Sequence, residues 1–457
     1  MTDSSVRRYG VVGTGARAQM FVRALAGDFT DVAELVAWCE PNPARMDHAD
    51  RLVTERRPGP PPVRYAPDDL ERMIAEQRLD AVVVTSPDWT HAEMASRALR
   101  AGADVVLEKP LTTSLDGCRT IVSAIEDSGR SLVLTFNYRY SPRNAALKEV
   151  LAAGEIGEVT SVHFEWVLDT MHGADYFRRW HRDKKRSAGL AVHKASHHFD
   201  LMNWWLADVP EWVFAKGGLR FYGDANARAR GLGDRPSRGT VDPPSIDPFA
   251  LDLRVDPVLR SLYWEAEKHD GYLRDRDVFS PGITIEDNLS VMVGYGRGAV
   301  LTYSLNAHSP WEGYRVTVNG TEGRAELEVV ERAAVLPGPD GRIILDASSV
   351  VDSGEDGRRG GTRLLVQRHW ETARKVRIAE NEGGHGGGDA LLLSDVFRGV
   401  TAADRLGRQA GYRDGLASVA VGLAVNTSMT TGRPVQIEEL GLPGLTGTAA
   451  QPAWETS

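Results

Sequence analysis

A chain of 457 residues with 42% hydrophobic and 26% charged residues is long enough for more than one core, so two or three domains are expected. A formal net charge of −9 and the lack of a Lys/Arg-rich run argue against a nucleic-acid or anionic-membrane partner and for a small molecule. Cys39 and Cys118 are too few for a disulfide framework or a zinc site, and the polar start of the chain carries no signal-peptide core, so a cytoplasmic protein without membrane spans is expected.

Apolar runs at 9–12, 34–39, 81–85, 104–107 and 132–135 alternate with amphipathic helical patterns at 17–26, 68–76, 92–101 and 115–128. This alternation predicts a doubly wound α/β domain of the Rossmann type over residues 1–135. Gly102 suits a left-handed cap after the third of those helices.

Beyond Ser141 the rhythm changes. A helix over 145–153, a strand over 159–167 and a histidine-rich helix over 193–206 precede strands at 289–295, 299–305, 314–319 and 323–328, separated by turn signals such as Asn319-Gly320. Helices follow at 390–400 and 412–429. Residues 136–445 therefore read as an α+β domain for substrate and oligomer contacts, built on a large, mainly antiparallel sheet, with a frayed tail over 446–457. A sheet of this breadth packs face to face, so a homodimer or homotetramer is expected. The long stretch 217–281, rich in Gly, Arg, Asp and Pro with one helix at 257–268, is either a lid, an oligomer contact or a solvated insertion.

The chemistry starts at Gly13-x-Gly15-x-x-Ala18, placed between a strand and a helix. Gly13 permits a tight turn, Gly15 admits a pyrophosphate close to the backbone, Ala18 keeps the helix near the strand, and N–H groups around Ala16 and Arg17 are candidates to hold the phosphates. Glu40, at the end of the second strand, lies where a carboxylate would grip adenosine ribose hydroxyls, which favours NAD. Arg45 is near enough in sequence to offer a 2′-phosphate a partner, which leaves NADP open. Ser86, Pro87 and His91 follow the third core strand and Glu108-Lys109-Pro110 closes the fourth, so both would line the crevice.

The segment His193-Lys194-Ala195-Ser196-His197-His198-Phe199-Asp200 is the most unusual in the chain. On one helix, His193, His197, Asp200 and Trp204 form one stripe, while Ala195, Phe199, Met202 and Leu206 form a nearly opposite, packing stripe. Three donors on one face also suit a metal, but a hydride transfer needs none and no fourth donor is identifiable, so no metal site is assigned.

GVVGTGARA at 10–18, TSPDWTH at 85–91, EKPL at 108–111, NYRYSP at 137–142, GEIGEV at 154–159 and the histidine-rich helix follow one another in an order that resembles the glucose–fructose oxidoreductase and inositol dehydrogenase (Gfo/Idh/MocA) family. The resemblance implies an NAD-dependent oxidoreductase acting on a secondary hydroxyl or keto group of a sugar, polyol or glycoside. It also implies that Lys109 faces substrate beside the nicotinamide and that His197 transfers the proton. Asp200 matches the family's trailing aspartate. His193 stands where the family carries an aspartate, so an anion has become an imidazole, open between a catalytic, a substrate-binding and a structural role.

Proton removal favours His197, because an imidazole of reference pKa about 6.5 works near neutral pH, whereas a lysine near 10.4 needs a large downward shift. Lys109 then donates to the same oxygen. Tyr138 and Arg139 near the domain junction, Trp180 and His181 in the basic segment before the histidines, Lys194, His198, and His385 in the glycine-rich run 383–388 complete the substrate-binding candidates. That run is similar to one in NAD-dependent glycosidases of the same superfamily, so a redox-neutral glycoside cleavage through a transient keto-sugar is the alternative activity. A nucleotide-sensing protein without catalysis is a third reading.

Overall fold

The computed structural model describes residues 6–336, 358–379, 387–400 and 404–445. Two sheets organise it. The first holds β1 (Arg7–Val12), β2 (Ala33–Cys39), β3 (Val63–Tyr65), β4 (Ala81–Val84), β5 (Asp104–Leu107) and β6 (Leu132–Leu134). The second holds β7 (Val159–Asp169), β8 (Pro210–Gly218), β9 (Asn288–Tyr295), β10 (Val300–Ser309), β11 (Glu312–Gly320), β12 (Gly323–Arg332), β13 (Gly361–Arg368) and β14 (Arg374–Val376). Two short late strands, β15 (Ala410–Gly411) and β16 (Val435–Gln436), add one edge to each.

The first sheet runs β15-β6-β5-β4-β1-β2-β3, parallel throughout except for β15. Its central strand β4 is four buried residues, Ala81 to Val84, as expected for a strand covered on both faces. Strand order reverses between β1 and β4, which opens a crevice at their carboxyl ends. The second sheet runs β14-β13-β12-β11-β7-β10-β9-β8-β16 and is antiparallel apart from the central β7–β10 pair. Here burial alternates: Leu301, Tyr303, Leu305 and Ala307 of β10 point inward. The covered face packs against helices Ser196–Leu206 and Tyr412–Thr431.

Three features depart from the pattern expected along the chain. The histidine-rich run is not one helix but two, Leu190–His193 and Ser196–Leu206. The break has a physical cause: the His193 carbonyl faces the Lys109 ammonium and the Ser196 hydroxyl, each at 3.4 Å, while the Ala195 N–H reaches back to Leu190 O at 2.8 Å. The expected helix at 257–268 is divided into Pro257–Leu259, a wider turn at Arg260–Trp264 and Glu267–Asp270. Strands β3 and β8 escape the sequence pattern, the first because it is three residues with an exposed Val63, the second because Pro210 and two terminal glycines read as loop.

The chain also returns to its first sheet near the end. Helix Gly388–Arg398 sets the Phe397 ring 5.2 Å from both Tyr9 and Phe29, and β15 pairs with β6. A buried ion pair ties the same regions: Arg139 donates to Asp200 at 2.8 and 2.5 Å and to Asp414 at 2.8 Å. Arg139 is 2% exposed, so an uncompensated charge there is costly. Asp200→Asn is expected to lower unfolding stability by about 3 kcal/mol in denaturant titrations; a loss below about 1 kcal/mol would show that Asp414 alone satisfies the guanidinium.

Candidate active site

A cleft of about 430 Å³ lies at the carboxyl ends of β1, β4 and β5. The turn after β1 forms its floor. Gly13 has φ +83°, and a Cβ there would meet the backbone of Ser86 at 2.7 Å, so β1 and β4 pass too closely for any side chain. Gly15 is the reverse case: no atom lies within 4 Å of its Cβ position, leaving room over the backbone at the start of helix Ala18–Leu25. Ala16 and Arg17 line the cleft there, while Ala18 is buried beneath. This open, N–H-bearing turn fits dinucleotide phosphates.

Glu40 lines the far end. Its carboxylate accepts from the Thr14 N–H at 2.9 Å and the Asn42 N–H at 3.0 Å, which fixes it at the cleft wall while it remains 5% exposed. An acidic group placed so fits ribose hydroxyls. Ser86, Pro87 and His91 line the middle. Both His91 ring nitrogens lie against carbonyls, Pro110 O at 2.7 Å and Ser86 O at 2.9 Å, so this side chain braces the loops around the cleft. Glu108 accepts from Arg17 Nε at 2.6 Å.

At the other end of the cleft, Lys109 and His193 come together with Trp180, His181 and Asp88. His193 Nδ1 lies 2.5 Å from Asp88 Oδ2. Burial, reinforced by the nearby Lys109 and Arg179 cations, pushes the His193 imidazole well below its ordinary pKa, so it rests neutral. Burial pushes Asp88 up to about 6, held from going higher by His91 and Lys109. The same burial pushes Lys109 down to about 8, against the pull of Asp88 and Glu108. His181 is likewise held well below its usual pKa by burial and stacks on Trp180 at 3.6 Å.

The remaining candidates are placed elsewhere. His197 is buried behind the cleft, its ring stacked on Tyr138 at 4.3 Å and set edge-on to Phe136. Tyr138 accepts from Lys194 Nζ at 3.1 Å, and that ammonium also lies over the Trp166 ring. His198 is a core residue, 2.6 Å from the Tyr303 hydroxyl and stacked on Trp166 at 4.0 Å. Arg139 belongs to the buried ion pair with Asp200 and Asp414. His193 and Asp200 thus have separate carboxylate and guanidinium partners, which does not suit a shared metal. His385 lies outside the described residues.

Several cleft residues were not singled out from sequence. Asp88 sits inside the TSPDWTH segment, where its position after a core strand was the available signal. Tyr263, Asp270 and Tyr272 come from the stretch between β8 and β9, which folds back onto the cleft. No periodicity marks them.

Both domains are similar to known proteins. Residues 7–136 match the model of an oxidoreductase family's NAD-binding Rossmann fold, and residues 148–437 match the model of the same family's C-terminal α/β domain. YteT, a Bacillus subtilis protein named as an oxidoreductase, is 32% identical over 443 residues, covering 94% of this chain and 97% of YteT. An inositol 2-dehydrogenase of Rubrobacter xylanophilus is 30% identical over 224 residues, 47% of this chain and 56% of that enzyme. An Agrobacterium radiobacter oxidoreductase, solved with NAD+, L-tartaric acid and magnesium, shares the fold at TM-score 0.59 and 16% identity, with 95% of this chain and 100% of that one covered. With an open glycine turn and Glu40 at the crevice of its first sheet, and with both domains matched, the chain is a member of the NAD-binding Gfo/Idh/MocA oxidoreductase family.

Proposed function

We propose that the protein is an NAD-dependent dehydrogenase that interconverts a secondary hydroxyl and a keto group on a sugar, polyol or glycoside. One observation carries this reading: Lys109 and the His193–Asp88 pair converge in the same cleft as the dinucleotide turn. NAD, when bound, supplies the hydride acceptor.

The side chains divide the remaining work. Asp88 holds the Nδ1–H of His193, which leaves Nε2 as the lone pair able to accept a hydroxyl proton. The imidazole is neutral before the reaction, and the imidazolium that forms is stabilised by the adjacent carboxylate. Lys109, protonated below about 8, donates to the same substrate oxygen and steadies its developing negative charge. Trp180, Trp89 and Tyr176 surround this end with apolar surface suited to a sugar face and help keep water out. His197, stacked on Tyr138 outside this lining, has no proton-transfer role in this scheme.

The relatives suggest the first substrates, since one is named for inositol. Purified protein incubated with NAD+ and a panel of cyclic polyols, aldoses and glycosides is expected to form NADH in proportion to the alcohol consumed. Aglycone release without net NADH would instead establish the redox-neutral glycoside cleavage, and no turnover with intact cofactor binding would overturn the catalytic reading.

A further inference from the structure

The stretch between β8 and β9 does more than cover the cleft. Its residues 261–270 dock on helix Pro43–Thr54, which begins just after β2 and Glu40. Ser261 Oγ lies 3.1 Å from His48 Nδ1, and Asn42 Nδ2 donates to the Ala266 carbonyl at 3.0 Å and to Asp270 Oδ2 at 2.8 Å. The Arg45 guanidinium pairs with the same Asp270 oxygen at 2.7 Å, and another of its nitrogens lies 3.5 Å from Glu40 Oε1. The Arg45 side chain is 13% exposed, so this pairing is shielded from solvent. Gly271, at φ +68°, ends the short helix and turns the chain so that Tyr272 also reaches the cleft.

Arg45 is the cation that the first domain offers to a 2′-phosphate. Here it stands between two carboxylates, one from its own domain and one from the insertion. An entering phosphate would have to displace Asp270 from Arg45 and then sit beside both anions. Building repulsion against the competing ligand is how a site gains selectivity without new contacts to the preferred one.

We propose that Asp270 is a specificity-determining residue that occupies Arg45 and, with Glu40, restricts the adenosine end of the cleft to an unphosphorylated ribose. The inference rests on the reading of this cleft as the NAD site. Its test is calorimetric binding of NAD+ and NADP+ to the full chain. Wild type is expected to prefer NAD+. Asp270→Asn is expected to shift the ratio of the two dissociation constants about tenfold toward NADP+, and Asp270→Ser serves if the amide variant does not fold. Adding Arg45→Ala to the Asp270→Asn background is expected to abolish that gain. An unchanged ratio in the Asp270 variants, or a gain toward NADP+ that persists when Arg45→Ala is added, would overturn the proposal. A wild type that binds neither nucleotide would instead overturn the cofactor site itself.

Discussion

His193→Ala is expected to lower kcat/KM for alcohol oxidation by about 10²- to 10⁴-fold, the range for losing a positioned general base. His197→Ala is expected to cost less than about tenfold, because its ring is stacked on Tyr138 and is not part of the cleft lining. The contrast is informative because the family resemblance assigns the proton to His197. Both imidazoles are 7% exposed, so burial alone does not separate them. What separates them is that His193 borders the cleft and has its Nδ1 anchored on Asp88, whereas His197 lies against aromatic rings. Asp88→Asn, which keeps the shape but removes the charge that favours imidazolium, is expected to reduce kcat by about 10- to 100-fold with little change in KM. Steady-state kinetics on the three folded variants decides the matter. A larger loss in His197→Ala than in His193→Ala would transfer the role to His197.

Lys109→Met is expected to reduce kcat/KM by about 10²- to 10³-fold, as for removal of one donor to a developing oxyanion. It should also change the pH profile. In wild type, kcat/KM for oxidation is expected to rise as Asp88 ionises through about 6, because only the carboxylate favours proton uptake by His193. It should fall above about 8, where Lys109 loses the proton it donates. Lys109→Met removes the alkaline limb and retains the acid one, and Asp88→Asn does the opposite. A wild-type profile without an alkaline limb near 8, or one that survives in Lys109→Met, would show that the ammonium is not the donor.

Much of the first domain was legible along the chain because its strands are short continuous apolar runs and its helices carry one apolar stripe, signals set within a few residues. The strands found at Ala33–Cys39 and Asp104–Leu107 agree with the expected runs to within one residue. In the second domain the alternation of β9 to β12 was equally readable, since one face is buried and the other is not. β8 was not, because its partner β9 lies far along the chain, and the three-residue edge strand β14 has no buried residue to mark it.

The sequence by itself determined the turn at Gly13 and Gly15, the carboxylate at Glu40 and the lysine at the end of β5, because each follows from its place beside a strand. Tertiary structure decided which histidine borders the cleft. The helical stripe that joined His193 to His197 is broken where the His193 carbonyl meets an ammonium 84 residues earlier in the chain, and Asp88, 105 residues away, takes the ring. Tertiary structure also decided between a lid, an oligomer contact and a solvated insertion for the stretch between β8 and β9, by bringing Tyr263, Asp270 and Tyr272 to the cleft wall. That outcome depends on Asp270 meeting Asn42 and Arg45, partners more than 220 residues apart, whose pairing no local periodicity encodes.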